Sequence, residues 1–169
     1  MIPHIEHRLD LFIQEEIQQI IELGDALVLS EGKIKDGVDH SIRNTKIGWI
    51  HPNASTWWLF DRAIMVFKNS RPFNELQSMQ YTVYDSKGAH YEWHKDVGSS
   101  DPVAQSRVNV AIVQLSNPSD YKGGVLQIKH EDEVIDVMKS KGMVTTFPID
   151  LKHRVTPVIS GVRKTLIMW

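Results

Sequence analysis

His94 and Asp96 stand two residues apart in the run YEWHKD, and in an extended strand side chains two apart point to the same face. An imidazole and a carboxylate so placed can close on one metal ion and make up two thirds of a facial triad. The spacing is weak evidence by itself. With 8 histidines in the chain, chance supplies roughly half a His-x-Asp in a sequence of this composition. A second copy is indeed present: His130 and Asp132 lie in KHEDE, a charge run after GGVLQI that fits a solvated hairpin tip. The end of the chain favours the first pair, because LKHRVTPVISGVRKTLIMW holds His153 and, ten residues later, Arg163. Two consecutive strands joined by a turn at Ser160-Gly161 are expected to bring both toward one cavity. In the last strand, period-2 alternation puts Arg163, Thr165, Ile167 and Trp169 on one face and Lys164, Leu166 and Met168 on the other. An arginine among apolar neighbours needs an anion. That partner is either a protein carboxylate in a salt bridge or a carboxylate ligand gripped by the planar guanidinium fork.

The elements that must hold these groups are legible as patterns. Ile13, Ile17, Ile20 and Ile21 recur at helical spacing before Gly24, which predicts an amphipathic helix over 13–23 with the glycine as its stop. A second helix is expected from about Ser55 to Lys68, capped in the Asn53 to Ser55 region, with Trp57, Phe60, Ile64 and Phe67 as its core face. From about Leu76 the texture changes to short runs rich in Val, Ile, Thr and aromatics, separated by turn clusters such as DSKG, SNPSDYKGG and KSKG. Strands are predicted near 77–84, 90–96, 107–115, 124–129, 134–138, 143–147, 152–158 and 162–169. Eight short strands after two helices indicate an α+β, mainly β fold: a jelly roll (double-stranded β-helix) buttressed by N-terminal helices. Segment 33–46, the least patterned, reads as an exposed loop.

Composition bounds the rest. A chain of 169 residues, 41% hydrophobic, suits one domain, with helical and irregular support over about 1–75 and a jelly-roll core over about 76–169. The absence of cysteine removes disulfides, thiolate metal sites and a cysteine nucleophile, so any metal falls to His, Asp or Glu. Lys plus Arg total 19 against 21 for Asp plus Glu, which supplies no basic field for nucleic acid. No apolar run is long enough to span a membrane, and MIPHIEHRLDLF mixes charges into what would be a signal core; a soluble, cytoplasmic protein is the expectation.

Four blocks in order, YDSKGAHYEWHKD, SRVNVAIVQLSN, YKGGVLQI and HRVTPVISGVRKTLIMW, resemble the Fe(II)/2-oxoglutarate dioxygenases, specifically their prolyl-hydroxylase-like branch, over about residues 76–169. Carried over by position, the resemblance implies iron on His94, Asp96 and His153, and Arg163 on the distal carboxylate of 2-oxoglutarate. It places Tyr84 against the co-substrate, unless it is only a buried strand aromatic, and gives Tyr91 a place lining the cavity or packing beside it. Asn109 and Gln114 share the next strand as co-substrate contacts, but five positions apart they cannot both face inward, and several relatives carry tyrosine where Gln114 falls. Arg107 matches a basic residue near the substrate mouth, or a surface arginine at a strand edge, and Trp169 falls near the iron or packs in the core. Gly123-Gly124 matches the turn into the family's fourth strand.

The implied reaction uses Fe(II), 2-oxoglutarate and O2, releases succinate and CO2, and hydroxylates a C–H bond. A prolyl or other amino-acid side chain in a peptide or protein is the first substrate class. The alternatives are a free amino acid, small metabolite or nucleobase, a cupin-like metalloenzyme without 2-oxoglutarate, or a non-catalytic metal-binding jelly roll. The loop 97–106, leaving directly from Asp96, is placed to close over a substrate. Oligomeric state is not legible in the sequence.

Overall fold

Met79–Tyr84, MQYTVY, is buried along its whole length, so both faces of that strand are covered. The computed structural model, which describes residues 4–34, 37–67, 77–97 and 102–169, shows what covers them. The chain runs β1 (Glu6–Arg8), α1 (Gln14–Asp25), β2 (Ser30–Glu31), β3 (Arg43–Asn44), β4 (Lys46–Ile50) and α2 (Trp57–Phe67). There follow β5 (Met79–Tyr84), β6 (His90–His94), α3 (Pro102–Gln105), β7 (Asn109–Gln114), a 3-10 turn at Pro118–Asp120 and β8 (Tyr121–Gly123). The last part is β9 (Leu126–His130), β10 (Glu133–Asp136), β11 (Val144–Pro148), β12 (Lys152–Val155), β13 (Val158–Gly161) and β14 (Arg163–Met168).

A major sheet orders its strands β1-β11-β7-β14-β5-β4-β2, a minor sheet β10-β9-β12-β6-β3, and β13 pairs β8 as a separate ribbon. This is the jelly roll, and alternation along each strand of the major sheet divides its residues between two cores. Tyr81, Val83, Ala111, Val113, Leu166 and Met168 meet Ile17, Ile20, Leu59, Phe60 and Phe67 of the helices. Tyr84, Val110 and Ile112 face the minor sheet, against Leu126, Ile128 and Val155. The side chains that do chemistry lie between the two sheets. No helix among the described residues is long and apolar enough to cross a membrane.

Several expectations change on contact with tertiary structure. Gly24 is not a stop: α1 continues to Asp25, and a Cβ on Gly24 would lie 2.3 Å from the Tyr81 ring, so the glycine lets the helix press onto the sheet. In α2 the buried face is Leu59, Phe60, Ala63 and Phe67, whereas Trp57 is 48% exposed and Ile64 only half-buried; Lys68 lies outside the described residues. Glu16 of α1 accepts from Arg62 of α2, tying the two helices together.

The first 75 residues do more than support the barrel, since β1, β2 and β4 extend the major sheet and β3 the minor one. Segment 33–46 accordingly is not simply an exposed loop. Positions 35–36 lie outside the described residues, but Arg43 and Thr45 are buried, with Arg43 Nε donating to Thr45 Oγ1 (3.0 Å) and an Nη1 hydrogen to the Lys33 carbonyl (3.0 Å). Of the predicted loop 97–106, residues 98–101 lie outside the described residues and Pro102–Gln105 form a short helix with Ala104 buried.

The strands bearing His153 and Arg163 are not a hairpin. β12 belongs to the minor sheet and β14 to the major one, while Ser160 and Gly161 sit inside β13 against β8. Pro157, with no amide hydrogen to donate, separates β12 from β13. The two residues converge because the sheets face each other.

Candidate metal centre

His94 and His153 lie directly opposite each other on neighbouring antiparallel strands β6 and β12. Cross-strand partners are the closest side chains a sheet offers, and the two imidazoles stand 4.2 Å apart between centroids. Asp96 lies two residues beyond the end of β6, held by its amide to the Ile149 carbonyl at 3.1 Å. Its Oδ1 is 3.6 Å from His94 Nε2 and 3.7 Å from His153 Nε2. The three donor atoms lie within 4.8 Å of one another, and His94, Asp96 and His153 are the group that can hold a metal among the described residues.

The protonation of the rings follows from their other nitrogens. His94 Nδ1 meets the Glu92 carbonyl at 2.7 Å, and His153 Nδ1 meets that of Leu151 at 3.0 Å. A carbonyl only accepts, so each Nδ1 carries a hydrogen and each Nε2 is the nitrogen turned toward Asp96. Burial, then the neighbouring His153, pushes His94 down to about 3, which keeps it neutral. Two imidazole Nε2 atoms and a carboxylate oxygen thus face one another. A set of two imidazole nitrogens and one carboxylate suits a divalent ion of the borderline class.

Support for the ligands comes from three aromatics. Trp169 Nε1 donates to Asp96 Oδ2 at 2.8 Å, which leaves Oδ1 to the histidines' side. Tyr91 stacks flat on His94, 3.5 Å between centroids and 14° between planes, with the Arg43 guanidinium 4.5 Å from the other ring centre. Arg107 lies 4.0 Å over the Trp169 ring and donates from Nε to Gln77 Oε1, and Trp49 packs against Trp169 at the rim.

Arg163 is 2% exposed, and its Nε and Nη1 have no hydrogen-bond partner. A buried guanidinium with unused N–H groups is costly, and it awaits an acceptor. It pairs in register with Tyr84, whose ring centre is 4.9 Å away, and Tyr84 lines the metal cavity. Gln114, Tyr121, Gly124, Lys139 and Thr145 line the compartment around Arg163, and Ile112 and Leu126 line both compartments. One compartment thus offers a ligand set for a metal and its neighbour a cation for a carboxylate, a chemistry that fits iron and 2-oxoglutarate.

Of the residues anticipated from sequence, His94, Asp96, His153, Tyr84, Tyr91 and Trp169 are brought together around one cavity, and Gln114 beside Arg163. Asn109 is not. With Gln114 inward, Asn109 five positions earlier must point to the other face of β7, where Arg8, Met65 and Thr146 surround it. His130 and Asp132 sit at the β9–β10 hairpin, away from the centre. Sequence reasoning missed Arg43, Gln80, Tyr121, Lys139 and Thr145. Only Thr145 left a readable signal, through alternation within VTTFP; Lys139 was hidden in a turn-like KSKG.

Comparison with known proteins agrees with this geometry. A PKHD-type hydroxylase of Nitrosomonas eutropha is 31% identical over 133 residues, covering 76% of this chain and 54% of its own length. One from Azoarcus is 33% identical over 132 residues, covering 76% and 53%. The chain thus spans about half the length of these relatives. The fold is shared with a Trichoplax adhaerens prolyl hydroxylase solved with a hypoxia inducible factor peptide fragment (TM-score 0.80, 21% identity, 99% of this chain and 83% of that one). It is also shared with a Pseudomonas putida prolyl-4-hydroxylase (TM-score 0.73, 20% identity, 99% and 92%). Residues 79–169 match the model of the 2OG-Fe(II) oxygenase superfamily, and the chain belongs to that family, whose iron(II) and 2-oxoglutarate its two compartments fit.

Proposed function

We propose that this chain is a 2-oxoglutarate-dependent hydroxylase acting on a prolyl or other amino-acid side chain in a peptide or protein. The observation that carries the reading is the cluster of His94, Asp96 and His153 together with the buried Arg163, whose Nε and Nη1 have no partner. The hydroxylase names of the relatives and the peptide named with the Trichoplax enzyme support the substrate class.

His94, Asp96 and His153 would hold the iron through two imidazole nitrogens and a carboxylate oxygen. With 2-oxoglutarate and O2, the bound metal supplies an oxidation that puts one oxygen atom into a C–H bond and the other into succinate, with CO2 released. The protein's part is placement. Arg163 takes the distal carboxylate in charge-assisted hydrogen bonds, with Tyr84 and Gln114 alongside. Trp169 fixes the Asp96 carboxylate through Oδ2, and the Nδ1 hydrogen bonds fix both imidazoles. Tyr91 shields the open face of His94, and Arg107 with Trp49 forms the rim that a peptide meets first.

The test is anaerobic reconstitution with Fe(II) and 2-oxoglutarate, then exposure to O2 with peptide pools and, separately, metabolite pools. Succinate formation stimulated by peptides, with a mass gain of one oxygen on a peptide, is the expected result. Stimulation by metabolites alone moves the substrate to small molecules, and no succinate under any pool leaves the fold as a binding module.

A further inference from the structure

The compartment around Arg163 holds a second cation. Lys139, in the connection between β10 and β11, extends its ammonium over the Tyr121 ring, 4.6 Å from the centre, and donates to the Gly123 carbonyl. Burial, and after it the charge of Arg163, lowers the lysine's proton affinity, as expected of two like charges sharing one enclosure. None of the residues lining that enclosure is acidic. Tyr121 accepts a hydrogen bond from Gln114 Nε2 at 2.8 Å, which leaves the phenol's own hydrogen to donate. Gly124 allows the close approach: at φ +57, a Cβ there would stand 3.1 Å from Arg163 Cδ and 3.2 Å from the Tyr121 ring. The enclosure is therefore lined by two positive groups and hydroxyl donors, with no negative charge of its own.

We infer that Lys139 is a second cationic contact for the distal carboxylate of the 2-oxo acid, and that together with Arg163 it makes this chain select a dicarboxylic over a monocarboxylic 2-oxo acid. The inference rests on the 2-oxoglutarate reading above and adds a residue to it. Arg163 comes from the major sheet and Lys139 from a connecting loop, so the two approach the anion from separate elements. A guanidinium binds with fixed directionality. An ammonium contributes a point charge that tolerates small shifts of the ligand, so the pair divides orientation from attraction.

The experiment uses the full chain loaded with Mn(II), which binds the same ligands without turnover. Calorimetry measures 2-oxoglutarate and, as the probe lacking a distal carboxylate, 2-oxopentanoate. Lys139→Met is expected to weaken 2-oxoglutarate roughly tenfold while 2-oxopentanoate and Mn(II) affinities stay as in the parent, and Lys139→Arg to restore most of the loss. Parent-like 2-oxoglutarate binding in Lys139→Met, alongside loss in Arg163→Met, overturns the role of Lys139 and leaves the co-substrate reading standing. An equal loss for both acids also overturns it, since that is the mark of a distorted loop. Failure of the parent itself to bind 2-oxoglutarate removes the reading and the inference together.

Discussion

The two faces of the major sheet are made by the same strands and differ in what they are for. On β14, Leu166 and Met168 enter the helix-side core, while Arg163, Thr165, Ile167 and, just beyond, Trp169 face the minor sheet. On β5, Met79, Tyr81 and Val83 go to the helices, while Gln80 and Tyr84 line the metal cavity. The helix side is dry and apolar, and Tyr81, its main polar-tipped member, is satisfied by donating to Asp25 at 2.7 Å. The other side keeps two imidazoles against a carboxylate and an arginine with unused N–H groups. One face stores stability and the other spends some of it holding polar groups ready for ligands.

That contrast is open to direct attack. The largest effect is expected from Asp96→Ala, which removes the one anionic ligand: no Mn(II) or Fe(II) should bind at concentrations that saturate the parent, with the thermal transition of the metal-free protein retained. Stoichiometric metal on this variant places the ion elsewhere. Next comes Leu166→Ala, on the opposite face of the same sheet. Truncating a fully buried leucine should cost about 2–5 kcal/mol in denaturant unfolding while metal and 2-oxoglutarate affinities in the folded protein stay unchanged. A change in those affinities shows that the two faces are coupled.

Arg163→Met should move the two properties in opposite directions. Loss of a charge-assisted grip weakens 2-oxoglutarate by about 1.5–3 kcal/mol, at least tenfold, yet removal of an unpaired buried cation raises the stability of the metal-free protein by about 1 kcal/mol or more. A destabilised metal-free variant signals that the contacts of Arg163 with Tyr84 and Tyr121 outweigh the cost of burying it. The smallest effect belongs to Trp169→Phe, which keeps an aromatic ring and deletes the donor to Asp96 Oδ2. Metal affinity is expected to fall about tenfold, at the low end for a group that orients a ligand, and metal titration with the fold monitored by circular dichroism separates this from unfolding.

Alternation and spacing in the sequence were sufficient for the two helices and most strands of the jelly-roll core, because a strand's period of two is local chemistry, but β1 to β4 and β8 were not legible, and Asp96 lies beyond the end of β6 and not within it. They also divided β14 correctly into an Arg163 face and a Leu166 face. They failed where the deciding contact lies far along the chain. Gly24 looked like a helix stop because nothing local reveals a Tyr81 ring 57 positions away pressed onto it. Segment 33–46 looked exposed because Arg43 is buried by Tyr91 and by its own turn, and which of Asn109 and Gln114 faces inward was not decided by their spacing.

The sequence by itself limited any metal ligands to His, Asp and Glu, since there is no cysteine, and its resemblance to a known family pointed to His94, Asp96, His153 and Arg163 among them. Only the tertiary structure decided that they meet. His153 and Arg163 reach neighbouring compartments from two facing sheets and not from one hairpin, and Lys139 joins Arg163 from a loop with no motif of its own, because proximity between distant segments is set by sheet order and packing, which local spacing does not encode.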